Sequence, residues 1–428
     1  MRSLLVDTAP LRHSPAFARL WFGTSISQIG AQLTIVAVGL HIYALTQSTL
    51  AVSFVALWAL APMIIAGFVG GTLADRYDRR TVALVTAIVA WLSIATMTTI
   101  AFLDVRVTWP YYALAACNAA SATILGATRG AIQPRLLPPQ LLPAGAALNG
   151  ITMALAVTVG PALAGVMVAS VGFAWTYLID AALFIGAFAG ILGLPPMRPE
   201  GKPLAPGLGS AIESLRFLRR APNVRATFVF DLVAMIFGTP RVVFPAAAAL
   251  VLGGGAVTVG LLTAAFAVGA LVSGLFSGRL GSVRLQGRAV AVAIACYGAF
   301  TALFGVVLLV TALVVPSYEG RPPVQLALVL AAVALAGAGA SDNVSAVFRT
   351  TILQAAAPDE VRGRMQGIFY VVVAGGPRVG DLLAGALATL LALWAPALIG
   401  GLVIVAIMAV LWRMGSSFMR YDALRPTP

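Results

Sequence analysis

The sequence predicts an all-α integral membrane protein with twelve transmembrane helices in two pseudo-symmetric six-helix bundles. Three observations predict this fold class: 60% of the 428 residues are hydrophobic, only 10% are charged, and the mean hydropathy is +0.98. A soluble chain carries about 25% charged residues, so an ordinary soluble enzyme is excluded. Because a transmembrane helix needs about 20 apolar residues, this length accommodates twelve spans joined by short loops.

The individual helices are predicted from long apolar runs. Six lie in the N-terminal half, at 17–45, 49–73, 81–103, 109–131, 144–170 and 173–195, and six in the C-terminal half, at 225–247, 254–278, 286–314, 323–347, 365–391 and 394–414. Runs of this length are helical in lipid, because only helices and closed barrels satisfy every backbone polar group. The expected organisation is a bundle at 1–195, a linker at 196–224, a second bundle at 225–414 and a cytosolic tail at 415–428. Within the linker, residues 210–220 predict a short amphipathic helix, which lies either at the membrane surface or in solvent without a binding role.

The two halves repeat weakly, which favours two related bundles. The segment that begins at Arg129 and reaches Pro138 is echoed by the segment from Arg349 to Pro358. Parallel repeats of this kind are typical of transporters.

The basic residues predict the orientation of the chain. Arginines are frequent in the inner segments, whereas the outer loops hold only Arg106 and Arg321. By the positive-inside rule both termini are expected to be cytosolic. Despite the net charge of +13 there is no block of five basic residues and no Walker A motif. Nucleic acid and ATP are therefore not expected as partners, the sequence indicates no metal and no cofactor, and the lipid bilayer is the partner that its apolar runs predict. No nucleophile–base pattern occurs, so no catalytic residue is expected.

The most specific motif is GGTLADRYDRR at residues 70–80. It resembles the loop signature of the major facilitator superfamily, with Asp78 in place of a second glycine. The resemblance implies the major facilitator fold, a transporter of the drug:proton antiporter type and no enzyme activity. It also implies a gate in which Asp75 contacts the start of the eleventh helix and an arginine on the fourth. The alternative is a solvated charge cluster that only sets topology. The residues assigned to the gate are Gly71, Asp75, Arg76, Arg79, Arg80 and Arg129.

A second motif lies in the fifth run. Gly160, Pro161 and Gly165 resemble the antiporter motif of exporters in this superfamily, although Ala156 and Ala164 stand where further glycines are usual. The segment is interpreted either as a direction-setting kink or as small-residue packing between helices.

Residues 239–245 and 375–385 resemble the enterobactin-exporter branch of the superfamily. This resemblance implies proton-driven export of a small amphipathic molecule, a siderophore, by alternating access in the bacterial inner membrane, with the substrate and protons as partners. Neighbouring multidrug and macrolide exporters share much of the pattern, so a broad efflux pump is the alternative. A non-transporting receptor on the same fold is a third hypothesis, against which the loop signature with Asp75 argues.

Ionisable residues inside the spans are costly in lipid and indicate functional sites. Asp381 and Asp231 are the proton-coupling candidates. Arg378 lies three residues before Asp381, hence on the same helix face. Together with Arg241 it is a candidate cavity residue for an anionic or catechol-bearing substrate. For each of these charges the alternative is an ion pair that only fixes helix packing.

Two further acids and one polar stripe within the runs each allow a functional and a structural interpretation. Asp180 and Asp342 are additional acids within the runs, interpreted either as functional or as structural. Gln28 and Gln32 form a polar stripe with Ser25 on the first helix, and the stripe is expected to face either the substrate cavity or a neighbouring helix.

Overall fold

The computed structural model describes residues 8–138, 141–197, 218–238, 240–275, 283–315, 322–356, 359–414 and 417–423. The side chains of 359–374 and of several other helical positions, among them Gly71 and Asp75, lie outside the described residues, and so does most of the predicted amphipathic helix at 210–220. The regular elements in the described ranges are all helical.

Two compact units divide the chain. The first comprises Met1–Thr46 and Trp58–Pro206, and the second comprises Gln47–Leu57 and Gly207–Pro428. The elements that start in the N-terminal half are α1 (Ala9–His13), α2 (Pro15–Thr46), α3 (Thr49–Arg76), α4 (Arg79–Phe102), α5 (Trp109–Leu136) and α6 (Leu142–Leu192). The first turns of α3, residues 49–57, therefore cluster with the second unit rather than with the rest of their helix.

The second unit contains the remaining long helices. They are α7 (Pro222–Phe237), α8 (Gly255–Leu275), α9 (Gln286–Val314), α10 (Gln325–Ala356), α11 (Asp359–Leu390) and α12 (Ala395–Arg413). Between α7 and α8 the chain forms a 3₁₀ turn (Pro240–Val243), one α-helical turn (Phe244–Ala246) and a π-helical segment (Ala247–Leu252). A further 3₁₀ turn, Ser417–Arg420, follows α12.

Nine helical segments of the described chain are long and apolar enough to cross a membrane. The runs at 144–170 and 173–195 are two helical stretches that meet at Gly172, where the backbone leaves helical geometry (φ +81°, ψ 179°), and both are included here in α6. Glycine adopts this positive φ without the Cβ clash that other residues suffer. The count of twelve spans stays a prediction.

Apolar side chains cover the outside of the helices, as expected for surfaces that face lipid. Ile35, Ile65 and Leu313 are 64%, 62% and 77% exposed. Inside the units, glycines allow helices to approach closely: a Cβ on Gly298 of α9 would lie only 2.8 Å from the carbonyl oxygen of Gly401 on α12. Packing of this kind replaces the hydrophobic effect as the force that associates helices in lipid.

Candidate functional site

Charged side chains inside the second unit form an alternating series of acids and bases. The members are Asp231 on α7, Arg349 and Asp342 on α10, Arg241 in the 3₁₀ turn that follows α7, and Asp381 and Arg378 on α11. Each neighbouring pair in the order Asp231, Arg349, Asp342, Arg241, Asp381, Arg378 interacts electrostatically. We call this set the charge chain.

The most buried part of the charge chain is the pair formed by Arg349 and Asp231. Nη1 of Arg349 lies 2.5 Å from Oδ1 of Asp231, and the two side chains are 4% and 2% exposed. Nη2 of the same guanidinium lies 3.8 Å from Oδ1 of Asp342, whose side chain is 35% exposed. Neither carboxylate oxygen of Asp231 receives an aligned hydrogen bond from a described residue. One guanidinium thus serves two carboxylates, and Asp231 keeps lone pairs available for a proton.

Within the charge chain, Arg241 lies between the acid Asp342 of α10 and the acid Asp381 of α11. Gly238 follows the last residue of α7, and Pro240 and Pro245, which have no backbone N–H, flank the 3₁₀ turn that carries Arg241. Its guanidinium lies 4.8 Å from the centre of the Phe266 ring, within cation–π range. It interacts with both Asp342 and Asp381. The Arg241 side chain is exposed, so it can bind an anion from solvent or pair with either acid.

The part of α11 that carries Asp381 is held by the first turns of α3. Ser53 Oγ donates a hydrogen bond of 2.9 Å to the carbonyl oxygen of Asp381, and the hydroxyls of Thr49 and Thr389 lie 3.1 Å apart. Both contacts lie within the second unit. They fix the backbone at Asp381 and leave its carboxylate to Arg378 and Arg241.

Arg349 and Tyr297 were missed by the sequence prediction. Arg349 begins one copy of the sequence repeat. Because it lies near the end of an apolar run, the positive-inside rule counts it among the basic residues of the inner loops. In the structure it is 3% exposed within α10. The Tyr297 hydroxyl, which donates to the carbonyl oxygen of Gly238, had no sequence signal because a tyrosine in an apolar run is indistinguishable from core packing.

The loop motif at residues 70–80 fastens the ends of several helices in the first unit. Asp78 caps α4 by accepting hydrogen bonds from the backbone N–H of Thr81 at 3.0 Å and of Met197 at 2.6 Å. Arg79 donates to the carbonyl oxygen of Ala131 on α5 at 2.8 Å. Arg80 donates to that of Leu192, at the end of α6, at 2.9 Å. Asp78, which replaces a signature glycine, thus contributes a helix cap of its own.

The electrostatics of Asp78 follow from these contacts. Slight desolvation of the carboxylate opposes its ionisation, but the hydrogen bonds from Thr81 and Met197 outweigh it and hold the pKa of Asp78 below its ordinary value.

The gate itself is only partly within the described residues. The side chains of Gly71 and Asp75 lie outside them. Arg76 ends α3 and lies 5.8 Å from the ring of its neighbour Tyr77. Nε and Nη2 of Arg129 are buried and bonded to no described residue. The contact between Asp75 and Arg129 therefore stays a prediction.

The antiporter-like segment packs against α2. A Cβ added to Gly160 would overlap the Gln32 side chain, so the glycine is needed for close approach of the two helices. Pro161 lies within the helical part of α6, whose non-helical residue is Gly172. Gly165 is buried in the same helix. These contacts favour the packing interpretation of the segment.

The polar stripe on α2 also meets α6. Ser25 Oγ lies 2.8 Å from Thr152 Oγ1, Gln32 lies against Gly160, and Gln28 is half-buried. Further along the same interface Asp180 is fully buried and accepts a hydrogen bond from the Thr34 hydroxyl. In the described part of the chain no three His, Cys, Asp or Glu side chains are placed to hold a metal ion.

Comparison with known proteins places the chain in a family. The sequence pattern of the transmembrane secretion effectors matches residues 6–425. The chain belongs to the transmembrane secretion effector family. Members of this family are transporters of the major facilitator type, so this secretion effector is a transporter and not an enzyme.

The relatives of this secretion effector match it over nearly their whole length. It is 28% identical to the enterobactin exporter EntS of Citrobacter koseri, covering 100% of this chain and 98% of the relative. It is also 28% identical to the enterobactin exporter EntS of Salmonella typhimurium, covering 96% and 95%.

Solved structures share its fold at low sequence identity. They include a POT family transporter in complex with 5-aminolevulinic acid (TM-score 0.71, 13% identity, 95% of this chain and 97% of that chain). The nucleoside transporter NupG aligns with a TM-score of 0.70 at 12% identity, covering 94% and 99%. The predicted all-α major facilitator fold is confirmed, and the secretion effector is a multi-pass bacterial membrane protein with a small-molecule substrate.

Proposed function

We propose that this secretion effector exports a siderophore of the enterobactin type from the cytosol by alternating access. Similarity to enterobactin exporters over the whole chain supports the substrate class. The observation that carries the proposal is the charge chain, in which Arg241 and Arg378 stand beside acids on the helices of one unit. Guanidinium groups bind anions and the oxygens of catecholates through several N–H donors in a fixed geometry.

We infer that the proton gradient drives the export, with Asp231 and Asp381 as the groups that exchange protons. A buried carboxylate that loses its cationic partner leaves a charge whose desolvation costs several kcal/mol. Because Arg349 lies 2.5 Å from Asp231 and 3.8 Å from Asp342, a small shift of its guanidinium toward Asp342 would oblige Asp231 to take up a proton. Neither ATP nor nucleic acid takes part in this scheme.

We also propose roles for the motifs outside the charge chain. Gly71, Asp75, Arg76, Arg79, Arg80 and Arg129 form the gating motif, Gln28 and Gln32 contribute to the cavity, and Gly160, Pro161 and Gly165 set the packing of α6 on α2. The two bundles at 1–195 and 225–414, joined by the linker at 196–224, undergo the transport cycle.

We further propose an inner-membrane location with both termini cytosolic. Tyr77 and Val107 are exposed residues at opposite ends of α4, at 51% and 54%. In a background with the exposed Cys117 and Cys296 replaced by serine, Val107→Cys should react with an impermeant maleimide on intact spheroplasts. Tyr77→Cys should react only after lysis. The reverse pattern would contradict the orientation.

The substrate is tested by transport into inverted membrane vesicles. Vesicles that contain the wild-type chain should accumulate a catecholate siderophore when their lumen is acidified, and a protonophore should abolish the accumulation. Accumulation of macrolides at the same rate, without preference for the catecholate, would favour the broad efflux pump instead.

A further inference from the structure

The segment that follows α12 is packed into the second unit. Phe418, Met419 and Tyr421 are only 2%, 5% and 2% exposed. They belong to the apolar cluster formed by α7, α9, α10 and α12. Apolar side chains this buried contribute to the core in the same way as residues of the helices themselves.

Phe418 contacts the helix that carries Asp231. Its ring meets that of Phe230 edge to face, with the centroids 4.9 Å apart and the planes at 69°. Phe230 directly precedes Asp231, and the same cluster contains Phe348 and Ile352, which flank Arg349 on α10. Phe418 therefore belongs to the same buried cluster as residues that neighbour Asp231 and Arg349 on α7 and α10.

The start of α9 is built to hold this segment. Arg284 forms an ion pair with Asp422, with Nη2 2.7 Å from Oδ2. The backbone N–H of Ala423 donates to the carbonyl oxygen of Arg284 at 2.9 Å. At Gly287 a Cβ would overlap the carbonyl oxygen of Phe418, so only glycine lets the segment lie this close. An ion pair, a backbone hydrogen bond and the close approach at Gly287 therefore all hold the segment after α12 against the start of α9.

We propose that Phe418 is a positioning residue for the Arg349–Asp231 pair. It packs α7 and α9 together in the cluster to which α10 also contributes, and it thereby keeps water from the pair; an ion pair is stronger in such a low-dielectric environment. Arg284 and Asp422 fasten the segment that places the ring. Only the consequence for transport rests on the proposed function.

Hydrogen exchange of the full-length protein in detergent tests the packing, and the matched variants are Phe418→Ala and Met414→Ala. Met414 is an apolar residue of the same region but is 73% exposed. Phe418→Ala should speed amide exchange in α7, at residues 226–234, by about tenfold or more, because local opening requires less free energy once a buried ring is removed. Exchange in α4 should stay unchanged, and Met414→Ala should match the wild type throughout. Arg284→Gln, which leaves the core intact, should speed exchange in α7 by a smaller factor.

Transport provides the second measurement. Phe418→Ala should change the pH dependence of export, since the environment of the pair is altered, whereas Met414→Ala should not. Phe418→Leu, which keeps most of the side-chain volume, should have the exchange rate and the pH profile of the wild type.

Three results would overturn the assignment: unchanged exchange in α7, an equal increase in α4, or a wild-type pH profile in Phe418→Ala despite faster exchange. If Phe418→Ala does not fold, Arg284→Gln decides the question by the same criteria, with Phe418→Leu as the control that should match the wild type. Because exchange is measured without substrate, failure of the siderophore proposal would leave the packing result unaffected, and the two failures are distinguishable.

Discussion

Arg349 on α10 and Asp231 on α7 form an ion pair in which both side chains are almost completely buried, at 4% and 2% exposure. Pairs of this kind stabilise little, because the desolvation of two charges offsets their attraction. Asp342 stands 3.8 Å from the same guanidinium and is partly exposed. A buried acid and a partly exposed acid thus share one cation, and this arrangement supports the proposed proton exchange at Asp231.

The shared guanidinium predicts unequal costs for removing the two partners. Arg349→Gln leaves two carboxylates without their cation and should lower the free energy of unfolding by about 3–5 kcal/mol. Asp231→Asn should cost less, because Asp342 remains near the guanidinium. The double variant should recover much of the loss. Thermal unfolding of the purified proteins in detergent measures the three values, and equal costs for the single variants would contradict the sharing.

The contact of Gly160 with Gln32 predicts a steric effect that a matched glycine lacks. Gly160→Ala should destabilise the protein by about 1–3 kcal/mol, because the added methyl overpacks the interface of α2 and α6. Gly150 lies on the same helix with nothing within 4 Å of an added Cβ. Gly150→Ala should therefore be neutral or stabilise by up to about 1 kcal/mol through helix propensity. The same thermal assay measures both, and similar values for the two would contradict the packing interpretation.

The cap formed by Asp78 predicts a pH-dependent contribution to stability. Its pKa is lowered in the folded protein from an ordinary value of 3.8. The carboxylate therefore stabilises the fold above that ordinary value, and the contribution is lost as the pH falls through the lowered pKa. At neutral pH Asp78→Ala should cost about 1 kcal/mol, as for other helix caps.

Stability measured from neutral pH downwards checks this prediction. The difference between wild type and Asp78→Ala should shrink at acidic pH, once the wild-type carboxylate takes up its proton. A difference that grows on acidification would show that the carboxylate is not stabilised by Thr81 and Met197.

The fold class could be predicted from the sequence because lipid imposes a strong rule on the backbone. Long apolar runs have to be helical, and the long helices overlap the runs, although the helix of the run at 225–247 ends at Phe237. The sequence does not show where each helix ends relative to its apolar run. Arg349 lies close to the end of one run, where the positive-inside rule assigns arginines to loops, yet α10 continues past it to Ala356.

The residues of the charge chain other than Arg349 could be named from the sequence, but their partners could be predicted only in part. Arg378 and Asp381 share a helix face, which helical spacing predicts. Asp342 and Arg349 are seven residues apart on one face of α10, but Asp231 reaches Arg349 only through the packing of α7 on α10, which their separation in sequence does not record. The role of Phe418 is equally invisible in the sequence, because a short segment after the last apolar run looks like a solvated tail.

Substrate-driven proton movement in liposomes tests the coupled export most directly. The purified chain is reconstituted with a pH-sensitive dye in the lumen, a catecholate siderophore is added outside, and the initial rate of luminal pH change is recorded. We predict that wild type moves protons in the direction opposite to the siderophore, whereas Asp381→Asn and Asp231→Asn bind the siderophore but move protons at least about tenfold more slowly, a change of 1.4 kcal/mol or more in the barrier. Siderophore transport by wild type without any proton movement, or wild-type proton movement in both variants, would contradict the account.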